Sequence, residues 1–441
     1  MTVRAPGRRQ MHLAAYVPGV DSTTVWADPR AGSQIGFASF ERLARTAERG
    51  LFDFFLLAEG LRLREHRGRI HDLDVVGRPE SITVLNALAA VTERIGLAAT
   101  ADATFNEPYE LARRFATLDH LSGGRAAWHV VTSSDALTGE NFRRGGFLDP
   151  AERYPRAAEF LDAARELWES WTPDGVSRPF SHRGQHFDIA GEFGVARSPQ
   201  GQPVVIQAGD SGDSEEGREF AASAADAVFA RYGGLEAGRA FYADVKGRLA
   251  KYGRAPGDLK IMPGVTFVLG DTDAEAREKA AEIRRQQVSP RHAILALERI
   301  WGTDLSSYDP DGPLPDFDPV PVSKPALAQG RGRSADPVRV AERWRALSRA
   351  KGLSIRQTVI EASGRHSFVG TPRSVADALD TFVREEAADG FVLGPDLTPG
   401  GLDEFVDLVV PLLQERGAFR TEYTGATLRS HLGLGEPVWT G

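Results

Sequence analysis

Cysteine is missing from all 441 residues. That absence excludes disulfides, thiolate zinc sites, iron–sulfur clusters and a cysteine nucleophile, and it fits a reducing cytoplasm. Long apolar runs are missing too, and none approaches the roughly 20 residues that a membrane-spanning helix needs. The first ten residues, Met1 to Gln10, are basic without an apolar stretch behind them. A signal peptide is therefore not expected, and they read as a disordered leader. There is no excess of positive charge. The formal net charge of −8 is a poor match for nucleic acid or an anionic membrane. Nor does the chain carry a Gly-x-Ser-x-Gly elbow, a Walker loop, or a Gly-x-Gly-x-x-Gly after a strand. What is present is ordinary for a globular protein. With 41% hydrophobic residues, the chain can build a large core without a metal or a disulfide.

Short apolar runs alternate with stretches at helical spacing. The strand-like runs are 11–17, 52–57, 95–100, 125–133, 203–208, 226–230, 259–269 and 390–394. Helical spacing covers 37–49, 81–91, 108–121, 154–171, 214–225, 235–252, 273–287, 337–350, 372–388 and 402–415. Alternating strands and helices imply a parallel sheet, and eight pairs imply a closed (β/α)8 barrel. One barrel over 11–441 is expected, with insertions near 59–79, 133–153, 172–200 and 290–335. Insertions of that length are usually lids or binding loops. A small hairpin is expected near Arg183-Gly184, and 303–335 reads as irregular.

A barrel presents its site at the C-terminal ends of the strands. Those positions carry Glu59, Thr100, Asp102, His129, Thr132, Ser133 and Arg231. After the fifth strand comes Gly209-Asp-Ser-Gly-Asp-Ser-Glu-Glu-Gly217, where glycines and a helix start could cradle a phosphate. Ser214 there is either a phosphate contact or only an N-cap, and the nearby acidic residues oppose an anion. His129 is a ligand, a proton donor or a satisfied core histidine. No metal is expected. Gly184 separates His182 from His186, and His66, His71, Asp72 and Asp74 lie in an Arg-rich loop.

Several phrases in chain order carry a resemblance. They are Leu118-Asp-His-Leu-Ser-Gly-Gly-Arg125, Trp128-His-Val-Val-Thr-Ser133, Asn141-Phe142, Arg153-Tyr154 and Pro199-Gln-Gly-Gln-Pro-Val-Val-Ile-Gln-Ala-Gly209. Later come Asp389-Gly-Phe391, Arg416-Gly-Ala-Phe-Arg-Thr-Glu-Tyr423 and Thr427-Leu-Arg429. Together, from about Met11 to Leu434, the chain resembles the nitrilotriacetate, dibenzothiophene-sulfone and pristinamycin synthase-type monooxygenases of the bacterial luciferase-like flavin superfamily.

That resemblance implies a two-component enzyme. Reduced FMN would come from a separate NAD(P)H:flavin reductase, and O2 would act through a flavin C4a-peroxide or hydroperoxide on a small organic substrate. It implies flavin-side positions for Glu59, Thr100, Asp102 and His129, the last standing where Asn is common. Tyr154 falls on a phosphate contact, with Pro150 in place of its usual histidine companion. Ser214 or Ser211 would hold the phosphate. A homodimer or homotetramer is implied, with neither nucleic acid nor membrane as a partner. The alternatives are a deazaflavin-dependent hydride-transfer oxidoreductase and a flavin-binding barrel that does not oxygenate. Arg62, Arg64, Arg67 and Arg69 point to an anionic substrate or to a solvated loop.

Overall fold

Strands buried on both faces read as continuous apolar runs, and that is how the sheet of this protein is written. The computed structural model describes residues 9–17, 24–25, 27–61, 79–133, 142, 152–208, 214–320, 337–363, 367–437 and 439. In chain order the strands are β1 (His12–Val17), β2 (Phe54–Leu57), β3 (Gly96–Asp102), β4 (Ala126–Val131), β5 (Phe180–Arg183), β6 (Asp188–Gly191), β7 (Val204–Ala208), β8 (Ala227–Ala230), β9 (Lys260–Leu269), β10 (Ser367–Gly370) and β11 (Gly390–Leu393). Eight of them pair in parallel in the order β1-β2-β3-β4-β7-β8-β9-β11, and β11 pairs back to β1. This is the expected closed (β/α)8 barrel. β5 and β6 form an antiparallel hairpin within the 172–200 insertion.

Described elements that were not expected include β10 and two helices. β10 pairs in parallel with the last four residues of β9, outside the eight. Helix Pro290–Trp301 opens behind an N-capping Ser289 and stops at Gly302 in the left-handed conformation. Helix Ile355–Ala362 opens on a Ser354–Gln357 capping box. Of the expected leader, 1–8 lie outside the described residues, and the Arg9 guanidinium bonds to Asp389 and to the Tyr242 hydroxyl. Among the described residues no helix is long and apolar enough to cross a membrane.

The strands alternate with period two. Ala14, Tyr16, Phe54, Leu56, Ile206 and Phe229 belong to an interior cluster that also takes in Leu428, Leu432 and Leu434 from the C-terminal segment. Leu13, Phe55, Leu97, Trp128 and Val205 belong to a second cluster with helix residues such as Leu43, Leu85, Phe115 and Phe160. The barrel is thus filled, and its floor is plugged by the C-terminal leucines.

The family-like phrases build that floor. The Asp119 carboxylate accepts the Ala126 N–H at 2.8 Å and the Gln200 side-chain amide at 2.6 Å. Gln200 in turn accepts the Arg429 N–H at 3.2 Å. The Arg125 guanidinium is buried and donates to the carbonyls of Ala89, Thr92, Ile95 and Ser122. Gly124 has φ +89°, and a Cβ there would lie 2.8 Å from Thr427 Cγ2. We expect Gly124→Ala to cost about 1–3 kcal/mol through the left-handed backbone and this clash, read as a lower urea midpoint. An unchanged midpoint would show that the floor gives way easily.

Candidate active site

The C-terminal ends of β2, β3 and β4 converge through one chain of hydrogen bonds. Glu59, two residues past β2, accepts the Ser81 backbone N–H at 3.0 Å. The Ser81 hydroxyl donates to the Thr100 carbonyl at 2.7 Å. Thr100 Oγ1 and His129 Nδ1 share a hydrogen bond of 2.8 Å. Thr100 and His129 are register partners on β3 and β4, so the parallel pairing itself sets this contact. Ser81 opens the helix Ser81–Ala89 behind Glu80, whose carboxylate caps it. Ser81 was expected only as the first residue of a helix over 81–91.

His129 is 4% exposed, and its Nε2 has no hydrogen-bond partner among the described residues. Burial, with the positive charge of Arg231 adding to it, pushes the imidazolium down to about 3. The ring is therefore neutral at physiological pH. It packs edge-on against Phe229 with ring centroids 5.8 Å apart. A neutral imidazole held at one nitrogen presents the other as a single donor or acceptor.

Asp102 lies at the same level on β3. One carboxylate oxygen accepts the N–H groups of Thr104 at 2.6 Å and Phe105 at 3.1 Å, and the other accepts the Ser133 hydroxyl. Asp102 thereby ties the loop after β3 to the loop after β4. Burial raises its carboxyl above the ordinary value, against those three donors. Burial also raises Glu59, with the charges of Glu80 and Asp102 acting in the same direction. Phe105 stacks on Phe142 with centroids 4.5 Å apart, extending the wall beyond β3.

A second group forms where helix Arg153–Glu169 meets helix Glu215–Ala224. Tyr154 is 7% exposed, and its hydroxyl has no partner among the described residues. Its ring faces Phe220 with centroids 6.1 Å apart. Phe220 lies on the helix that Ser214 caps by accepting the Gly217 N–H at 3.1 Å. The Gln207 amide bonds the Gly217 carbonyl at 2.9 Å and fixes that helix to β7. Two buried guanidiniums accompany Tyr154. Arg153 lies over its ring at 4.5 Å, and Arg156 lies over Phe187 at 4.4 Å. Both sit in the first turn of their helix, where cations run against the helix dipole unless an anion is close. Arg153 stood in the motif with Tyr154, but no sequence pattern marks it as buried. Ser211, Pro150 and Arg62, Arg64, Arg67 and Arg69 lie outside the described residues. His182 reaches the helix beside it rather than His186. Its Nδ1 is 3.1 Å from Glu166 Oε2, which clips the hairpin to helix Arg153–Glu169.

Each of the two groups offers polar contacts that a ligand could take up. His129 Nε2 and the Tyr154 hydroxyl are buried polar groups that need partners. The helix N-terminus at Ser214 and the buried arginines suit an anion. The comparisons with known proteins decide the family. The model of the luciferase-like monooxygenases matches residues 19–390. The chain belongs to that family. This monooxygenase is 39% identical to N-acetyl-S-(2-succino)cysteine monooxygenase of Bacillus subtilis (strain 168), with 98% of each chain covered. It is 40% identical to nitrilotriacetate monooxygenase component A of Aminobacter aminovorans, over 93% of this chain and 92% of the relative. The solved structure of EDTA monooxygenase from Chelativorans sp. BNC1 superposes with a TM-score of 0.74 at 31% identity, covering 97% of this chain and 99% of that one. The protein is a flavin-dependent monooxygenase. The oxygenase reading therefore holds over the hydride-transfer alternative.

Proposed function

We propose that this monooxygenase binds FMN, supplied reduced by a separate NAD(P)H-dependent flavin reductase, and uses O2 to oxygenate a small organic substrate. Bound reduced FMN would supply two electrons, so that one oxygen atom enters the substrate and the other leaves as water. The chain's own residues bind, orient and exclude water. His129 offers Nε2 to the ring, and Thr100 fixes the imidazole through Nδ1. Glu59 and Asp102 hold the loops that frame the ring, Asp102 by its three donors and Glu59 through Ser81. Tyr154 and Ser214 hold the phosphate, with Arg153 and Arg156 supplying positive charge and Ser211 standing as the alternative serine. The protein works as a homodimer or homotetramer in the cytoplasm. The observation that carries this reading is the pair of buried polar atoms, His129 Nε2 and Tyr154 Oη, that have no hydrogen-bond partner among the described residues.

Fluorescence titration of FMN tests the phosphate end. Tyr154→Phe and Ser214→Ala are each expected to raise the FMN Kd about ten- to a hundredfold, the worth of a hydrogen bond to a charged group. An unchanged Kd in both variants would move the phosphate elsewhere. A parent protein that binds no FMN would remove the cofactor assignment altogether.

A further inference from the structure

Phe229 stands on β8, yet its ring reaches strands far from its own. Ala227 and Phe229 point inward and belong to the interior cluster, while Val228 and Ala230 pack outward with Tyr242 and Val245 of helix Leu235–Arg248. The Phe229 ring meets Tyr16 of β1 with centroids 5.3 Å apart, and His129 of β4 with centroids 5.8 Å apart and 61° between the planes. β7 separates β8 from β4 in the sheet, so the contact with His129 passes over a whole strand. Gly264 makes room for it on the other neighbour. β9 pairs with β8 as far as Pro263 opposite Ala230, and Gly264 follows. A Cβ on Gly264 would fall inside the contact distance of two Phe229 ring carbons, Cε2 and Cζ. Gly264 does not have the left-handed backbone that would itself call for glycine. What the position requires is space, and the Phe229 ring uses it.

The bond between Nδ1 and Thr100 Oγ1, at 2.8 Å, holds the His129 ring at one atom. A ring held at one atom can still tilt about that point, and the tilt carries Nε2 with it. A second contact removes this freedom. Phe229 supplies one, and Tyr16 in turn packs on Phe229. We infer that Phe229 is a positioning residue for the reaction: its ring sets the plane of His129, so that the buried Nε2 keeps one direction, and Gly264 keeps the space that ring needs. This rests on the reading of His129 as the group that meets the flavin ring. An aromatic pair contributes beyond its buried area because its planes prefer tilted or edge-on arrangements. Displacing a group by about 1 Å near a reacting centre can lower a rate on the order of a hundredfold. Phe229 acts here through His129 and not by touching the ligand.

Two measurements test this, the first without cofactor. NMR of the protein carrying isotope-labelled histidine reads the ring nitrogens, and the His129 signals are those that His129→Leu removes. The parent is expected to show one tautomer with sharp signals. Phe229→Leu and Gly264→Ala are each expected to broaden or average them, the first by removing the ring and the second by displacing it. Combining the two substitutions relieves the clash and is expected to look like Phe229→Leu alone. The second measurement mixes protein loaded with reduced FMN into oxygenated buffer and follows the return of oxidised-flavin absorbance. Phe229→Leu is expected to speed that return about three- to tenfold. In a His129→Leu background it is expected to add less than about twofold, as groups that act as one unit do. Cooperative unfolding of every variant above the assay temperature separates these effects from misfolding. Unchanged His129 signals in both single variants overturn the inference. A Phe229→Leu effect of equal size in both backgrounds also overturns it, because Phe229 would then act on the ligand directly. If His129→Leu itself leaves the return unaltered, or the parent binds no FMN, the reading beneath has failed, and the NMR signals still decide whether Phe229 sets the ring.

Discussion

Asp53→Ala is expected to lower the unfolding free energy by about 3–5 kcal/mol, the usual cost of removing one partner from a buried ion pair. Asp53 has no exposed surface and stands just before β2. One carboxylate oxygen accepts the Leu13 N–H at 2.9 Å; the other meets His12 Nδ1 at 3.1 Å and the Arg420 guanidinium. Its own backbone bonds both neighbouring strands, to the Leu13 carbonyl at 2.6 Å and from the Gly96 N–H at 2.9 Å. One residue therefore joins the starts of three strands to the C-terminal segment. Without it, Arg420 keeps its charge in a buried place, with a hydrogen bond to the His431 carbonyl at 3.2 Å and the rings of Phe419 and Tyr423 in place of a carboxylate. The double variant Asp53→Asn with Arg420→Met removes that charge and is expected to recover more than half of the loss. Equal losses in the single and double variants would show that the pair contributes packing rather than charge.

The same pair sets an acid limit. Burial pushes the Asp53 carboxyl up, but the Arg420 charge and His12 outweigh it and hold the group at about 2, below its ordinary 3.8. A carboxylate with a depressed folded-state pKa stabilises the fold above its unfolded value. That contribution, on the order of 2 kcal/mol, is lost as pH falls from near 4 through 2. Denaturant midpoints taken across this window are expected to slope in the parent and to flatten in Asp53→Asn.

Asp53 also shows what the sequence does not disclose. It reads as one more aspartate at a turn, and nothing local announces that Arg420, far along the chain, closes on it. The barrel was legible because its strands are apolar on both faces and its helices repeat apolar residues at helical spacing. Thr100, Asp102 and His129 were legible because strand ends face the mouth. β10 escaped because four residues carry too little pattern. Helix Pro290–Trp301 escaped although Ser289, Pro290 and Gly302 mark both its ends, because the Pro- and Asp-rich stretch after it drew the whole region into one insertion. The phrases that identify the family, from Leu118 to Arg125 and from Pro199 to Gly209, proved to hold the barrel floor in their described part. They report the fold reliably for that reason, and they say little about the substrate.

His129→Leu is expected to lower the rate of product formation about a hundredfold, the effect of losing one preorganised polar group at a reacting centre. The argument starts from the ring's two nitrogens. Nδ1 is held by Thr100 and serves position, whereas Nε2 is buried and unpartnered among the described residues and so is the group with work to do. On the proposed assignment of Tyr154 and Ser214 to the phosphate, FMN affinity is expected to change less than tenfold. Reduced flavin would then still react with O2, but with more release of hydrogen peroxide and less product per O2 consumed. His129→Asn keeps a neutral polar side chain and is expected to retain most of the coupling. Thr100→Val leaves Nε2 in place but frees the ring, so its effect falls between the two. The pH profile separates this role from acid catalysis by an imidazolium. With the folded-state pKa near 3, the ring does not titrate between about pH 6 and 9, so parent and His129→Asn are expected to share one profile shape. A step near the ordinary histidine value in the parent alone would show that the ring does gain a proton during turnover. Equal coupling in His129→Leu and the parent would reduce His129 to a core residue that happens to face the mouth.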